Sequence, residues 1–189
     1  MKYKTGDIFL TDSDKFGPRM VKFLMTAPTV WHYLWRCLPW FKQNEVNFYH
    51  VGMCIGDDKV IEQQSVVELE DVYDAITKKK QYVIWRLEGI TPEGELALKE
   101  RALQDLGEKY DVLLILGKTL TWLTGIPYFA RYVEADQKEF CVTRVALWYK
   151  DILKERFGKA THHEVTTDII DDWCKANPER WTKVDEKLA

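Results

Sequence analysis

Residues 47–63 read NFYHVGMCIGDDKVIEQ, and their reading decides the fold. Val51, Met53 and Ile55 alternate along one arm, Val60 and Ile61 fill the other, and Gly56-Asp57-Asp58 supplies turn chemistry between them. The stretch is therefore expected to form two short antiparallel strands. His50 lies on the first arm and Glu62 on the second. A strict two-residue turn puts their side chains on opposite faces. A three-residue turn, or a single bulge, puts them on the same face one diagonal step apart, close enough for a carboxylate to hold an imidazole. A histidine oriented in this way needs only a nucleophile to complete a site for covalent catalysis.

Working outward, the residues on either side fit an α+β domain. Residues 5–11 (TGDIFLT) read as a first strand opened by a glycine turn. Residues 18–27 are helix-compatible, with Pro18 at the first position, and stop before Pro28. In TVWHYLWRCLPWF, Trp31, Leu34, Trp35 and Leu38 fall on one apolar helical face that Pro39 ends. This piece is either a flap packed on the core or a lid. As a lid, Trp31 and Trp35 bind substrate, and the stretch from Trp31 to Trp40 meets lipid or a membrane surface. On the other side of the hairpin, residues 65–69 read as a strand, 70–76 as a helical turn and Lys78-Lys79-Lys80 as a solvated loop. Residues 82–87 (YVIWRL) have the near-continuous apolar content of a central strand. Thr91-Pro92-Glu93 starts a helix with Leu96, Ala102, Leu103 and Leu106 expected inward. Residues 140–158 form a helix stopped by Gly158, Thr166-Thr167-Asp168 caps a last short helix, and the charged tail after Pro178 is expected to be loosely held. No repeat or linker breaks the chain, so 1–189 is read as a single domain.

Composition narrows the function classes. A net charge of −3 gives no electrostatic footprint for nucleic acid. Cys37, Cys54, Cys141 and Cys174 are far apart with no C-x-x-C pair, which argues against zinc and fits free thiols in a reducing compartment, with two disulfides as the alternative. His162-His163 have no further ligand at metal spacing, so neither a metal nor another cofactor is expected. The N-terminus has no apolar h-region and no run is long enough to span a bilayer, so the chain is expected to be cytoplasmic as synthesised. Cys141 is the candidate nucleophile, since it falls where a helix should begin and the helix dipole favours a thiolate there. On residue types alone, a structural Cys141 and a core His50 stand beside that reading.

The ordered set GDIFLT, YHVGMCIGDDKVIEQ, GEKYDV and FCVTRVALWY resembles the circularly permuted branch of the NlpC-type cysteine peptidases. These are the YiiX-like proteins, related to lecithin retinol acyltransferase. The resemblance implies a permuted papain-like fold, a small and mainly antiparallel sheet packed with helices. It implies His50 as base, Glu62 as the acid that orients it, Cys141 as nucleophile and Tyr110 lining the pocket. The reaction implied is hydrolysis of an amide, ester or thioester through an acyl-enzyme, with peptidoglycan-like peptides as substrate. An acyltransferase or lipid hydrolase, and a non-catalytic binding protein, are the alternatives. Two features depart from the pattern. Cys141-Val142-Thr143 replaces the usual C-S-E-like run, and residues 16–46 form a longer, more aromatic insertion that is expected to border the cleft.

Overall fold

The computed structural model describes residues 2–12, 48–63, 66–109, 141–158 and 165–187. Their elements run β1 (Ile8–Asp12), β2 (His50–Gly56), β3 (Lys59–Gln63), β4 (Val67–Asp71), α1 (Val72–Thr77), β5 (Gln81–Leu87), α2 (Pro92–Gln104), α3 (Cys141–Trp148), a π-helical turn (Tyr149–Leu153), α4 (Thr167–Ala176) and β6 (Trp181–Lys187). Among the described residues, six strands form one antiparallel sheet in the order β4-β3-β2-β1-β5-β6. The fold is α+β, as expected from the sequence.

The sheet is covered on both faces because its strands alternate two sets of apolar residues. Ile8 and Leu10 of β1, Val51 and Met53 of β2, and Val83 and Trp85 of β5 pack with Val142, Val145 and Trp148 of α3 and Ile170 of α4. Phe9, Cys54, Val60 and Ile84 point the other way and pack with Val72 and Ala75 of α1. The period of two in the strand pattern thus becomes two cores, one per face.

The β2–β3 hairpin contains a two-residue turn and a bulge. Asp57 and Asp58 have φ of 54° and 53°, the left-handed pair of a type I′ turn. Met53 pairs with Ile61 and Cys54 with Val60, but Gly56 pairs with Lys59, so one extra residue is accommodated between Cys54 and Gly56. Gly56, at φ 82°, takes a conformation that a side chain would strain. A simple two-residue turn without this bulge would leave His50 and Glu62 on opposite faces.

Helix starts follow their capping signals. Thr91 caps α2 through Gly94 N–H at 3.2 Å, and Thr166 caps α4 through Ile169 N–H at 3.3 Å. Two expectations are corrected on the helices. In α2 the buried face is Leu98 and Ala102, whereas Leu96 and Leu106 are exposed and Leu103 only borders the core. The helix after Cys141 widens into the π-helical turn and ends at Lys154, in the left-handed conformation, before Gly158 is reached.

The tail after Pro178 is not loose. It forms edge strand β6, paired with β5 from Leu87↔Trp181 to Tyr82↔Lys187. Trp181 is 1% exposed and lies 5.8 Å, centroid to centroid, from both Tyr149 and Phe157. Its charged residues are those of a solvated edge strand, where charge deters pairing with other chains. No helix among the described residues is long and apolar enough to cross a membrane. Because Trp181 anchors the last strand, Trp181→Ala should cost about 3–5 kcal/mol. Urea denaturation measures this, and an unchanged midpoint would show that β6 contributes nothing.

Candidate active site

His50 is the first residue of β2, and the bulged register decides where it points. Glu62 lies directly across from Gly52, and His50 is two residues along on the same side of β2. A Cβ on Gly52 would stand 3.1 Å from the Glu62 Cβ, the Ile61 carbonyl oxygen and Val60 Cγ2. Glycine at 52 therefore leaves the space that Glu62 occupies. The His50 Nε2 and Glu62 Oε2 are 2.9 Å apart, and both side chains are buried. The backbone leading into the strand is pinned as well. Tyr49 N–H donates to the Thr11 carbonyl at 3.2 Å, and the Thr167 hydroxyl donates to the Phe48 carbonyl at 2.5 Å. The Tyr49 ring sits beside the imidazole, 6.0 Å between centroids.

Cys141 opens α3, the helix that packs on β2, so the thiol and the imidazole meet where both elements begin. Cys141 is buried and hydrogen-bonded to His50. With Nε2 engaged by Glu62, Nδ1 is the nitrogen left for the sulfur. Burial by itself disfavours the imidazolium. The negative charge and hydrogen bond of Cys141, then those of Glu62, outweigh it and push the His50 pKa from 6.5 up to about 10. The cysteines Cys54 and Cys174 are also thiols rather than disulfides, but burial pushes both of them up, toward the inert protonated form.

A buried polar network holds α3 in place. Arg144, one turn beyond Cys141, is 3% exposed. Its Nη1 lies 2.8 Å from Asp105 Oδ2 and 2.8 Å from Glu108 Oε2, and its Nε lies 3.4 Å from Gln63 Oε1. Trp148 Nε1–H donates to the same Asp105 oxygen at 2.8 Å. Burial opposes ionisation of Asp105, but hydrogen bonds from Trp148, Arg101 and Arg144 hold its carboxyl below the usual carboxylate range. The network joins the helix carrying Cys141 to the end of α2 and to the residue after Glu62. Sequence reading missed Arg144 and Asp105. The available signal was an arginine inside the otherwise apolar CVTRVALW, because a charge on a buried helix face requires a partner.

The structure thus brings together His50, Glu62 and Cys141, which lie far apart in the chain. Tyr110, Trp31, Trp35 and the remainder of the 16–46 insertion lie outside the described residues, as do Cys37, His162 and His163.

Fold and site define an α+β protein with a buried Cys-His-Glu constellation, and the comparisons with known proteins agree with the fold. No protein-family model matches the chain, and no curated protein matches it. Among solved structures, it is similar to the crystal structure of the metalloprotein YiiX from Escherichia coli O157:H7, with 18% identity, 100% of both chains covered and a TM-score of 0.64. At this identity the likeness shows a YiiX-like fold. The metal in that protein's description has no counterpart among the described residues here, where no group of three or more His, Cys, Asp or Glu side chains is placed to hold an ion.

The raised His50 pKa has a direct readout. Its ring NMR signals should remain those of an imidazolium through neutral pH and titrate near the upper value of about 10. Cys141→Ala, which removes the first of the charges favouring the cation, should lower the midpoint. A parent midpoint at or below 6.5 would disprove the pairing.

Proposed function

We propose that this protein is a cysteine hydrolase with the permuted papain-like (NlpC-type) arrangement, acting on an amide, ester or thioester through a covalent acyl-enzyme. The observation that carries this reading is the position of His50, buried and hydrogen-bonded on one side to Glu62 and on the other to Cys141. Support also comes from the chain order of histidine, acid and late cysteine at a helix start, and from the YiiX-like fold.

The chemistry follows from the pair. The Cys141 thiolate attacks the acyl carbon, forming the S–C bond, and the carbonyl oxygen takes the negative charge. In this reading the backbone N–H of Cys141, in the first turn of α3, donates to that oxyanion. Collapse of the intermediate breaks the bond to the leaving group, and the His50 imidazolium supplies the proton that group needs. The neutral imidazole then removes a proton from water, which attacks the thioester, returns the sulfur as thiolate and restores the imidazolium. Glu62 acts through His50 as a positioning group: it fixes the ring and favours its charged form. Activity therefore rises with pH as the thiol ionises and falls as pH passes the raised His50 value of about 10.

Peptides of the peptidoglycan type are the first substrates to screen, and small acyl esters the second. Before substrates, the test is the rate of Cys141 alkylation against pH in the parent and in His50→Ala, with peptide mass mapping to separate Cys141 from Cys37, Cys54 and Cys174. The expected apparent pKa lies well below the free-thiol value of about 8.5 and rises when His50 is lost. A slow reaction indifferent to His50 would leave a non-catalytic protein on a hydrolase scaffold. With a substrate in hand, Cys141→Ala must abolish turnover.

A further inference from the structure

Glu62 has a second acid behind it. In the β3–β4 register Val60 faces Glu70 and Glu62 faces Glu68, so Glu70 lies on the same side of the sheet as Glu62, one diagonal step away. The Glu70 side chain is 26% exposed and hydrogen-bonded to Glu62. Two carboxyl groups hydrogen-bond only when one of them carries a proton. Glu62 faces the imidazolium of His50 and is the partner that ionises first, so the proton of this hydrogen bond, while it is bound, belongs to Glu70. Burial first, then the hydrogen bond and charge of Glu62, raise the Glu70 pKa above its ordinary value, while Lys79 and Lys78 oppose the shift. Among the described residues, these other charges lie around the pair. Lys78 Nζ lies 3.9 Å from Glu70 and 3.7 Å from Asp74, Glu68 is exposed opposite Glu62, and Lys59 pairs with Asp71 at the end of the strand.

We propose that Glu70 is a positioning residue of the hydrolase site: as the neutral acid it donates a hydrogen bond to Glu62 and so holds the Glu62 carboxylate against His50. This inference rests on the Cys141–His50 reading above and adds a pH-sensitive support to it. The sign follows from the raised value. The Glu70–Glu62 hydrogen bond is intact at low pH and is lost as pH rises through the Glu70 titration, when repulsion between two carboxylates replaces it.

Two readouts test it, one of which does not involve the reaction. In a Cys141→Ala background, the His50 ring signals should show a small inflection on the acidic side of their own titration as Glu70 loses its proton. Glu70→Gln, whose amide donates at every pH, and Glu70→Leu, which has no donor, should both abolish that inflection. With Cys141 present, and on the acidic side of the Glu70 inflection, Glu70→Gln should keep the parent alkylation rate, and Glu70→Leu should slow it about 3- to 10-fold, the weight of one hydrogen bond. An inflection that persists in both variants, or equal alkylation rates in Gln and Leu variants, overturns the proposal. If parent alkylation is itself indifferent to His50, the hydrolase reading falls, while the ring inflection still decides the role of Glu70.

Discussion

One extra residue in the β2–β3 hairpin governs the relation between the sheet and the site. Strand side chains alternate with a period of two, so every register slip by one residue exchanges the faces. The bulge between Cys54 and Gly56 makes that exchange once, beside a left-handed Asp57-Asp58 turn. On the far side of it, Val60 joins Cys54 in one core, Ile61 joins Met53 in the other, and Glu62 falls on the side of His50. The apolar demands of both cores and the polar contact of the site are met by the same register. A slipped hairpin would place Glu62 among the side chains that pack against α3, an uncompensated charge whose burial costs several kcal/mol.

The nucleophile's helix is placed by polar groups as well as by packing. Val142, Val145 and Trp148 bury an apolar stripe on the sheet, yet such a stripe tolerates sliding along the strands. Arg144, held by Asp105, Glu108 and Gln63, does not slide, because its guanidinium has fixed directions for each partner. Buried ion pairs contribute little net stability, since desolvation offsets attraction, but losing one partner of such a pair costs about 3–5 kcal/mol. Their effect here is on position: the turn of α3 that carries Cys141 is tied to the strand that carries Glu62. The buried Gln63 Nε2, Thr143 Oγ1 and Arg144 Nη2 have no hydrogen-bond partner among the described residues, and they mark this seam as polar ground inside an apolar core.

Much of this was legible from residue order. Alternation located the hairpin, and capping residues located α2 and α4, because both are local properties of the backbone. His50, Glu62 and Cys141 were also picked out, the first two by strand position and the third by a helix start. Where local pattern failed, a long-range contact had intervened. β6 reads as a charged tail until Trp181 is seen beside Tyr149 and Phe157, and Leu98 of α2 is chosen over Leu96 by the π-helical turn and α3, against which that helix lies.

What the sequence by itself determined is the set of elements and the chemistry each can carry: a hairpin with a histidine and an acid, and a late helix beginning at a cysteine. Period, turn residues and caps act over a few positions, so they survive without knowledge of the fold. Only the tertiary structure decided that the bulge aligns His50 with Glu62, that Cys141 meets the imidazole across roughly half the chain, and that Arg144 and Glu70 stand behind the site. These depend on register and on the docking of α3, which are set by the simultaneous burial of many side chains and by the need to pair every charge that burial takes out of water.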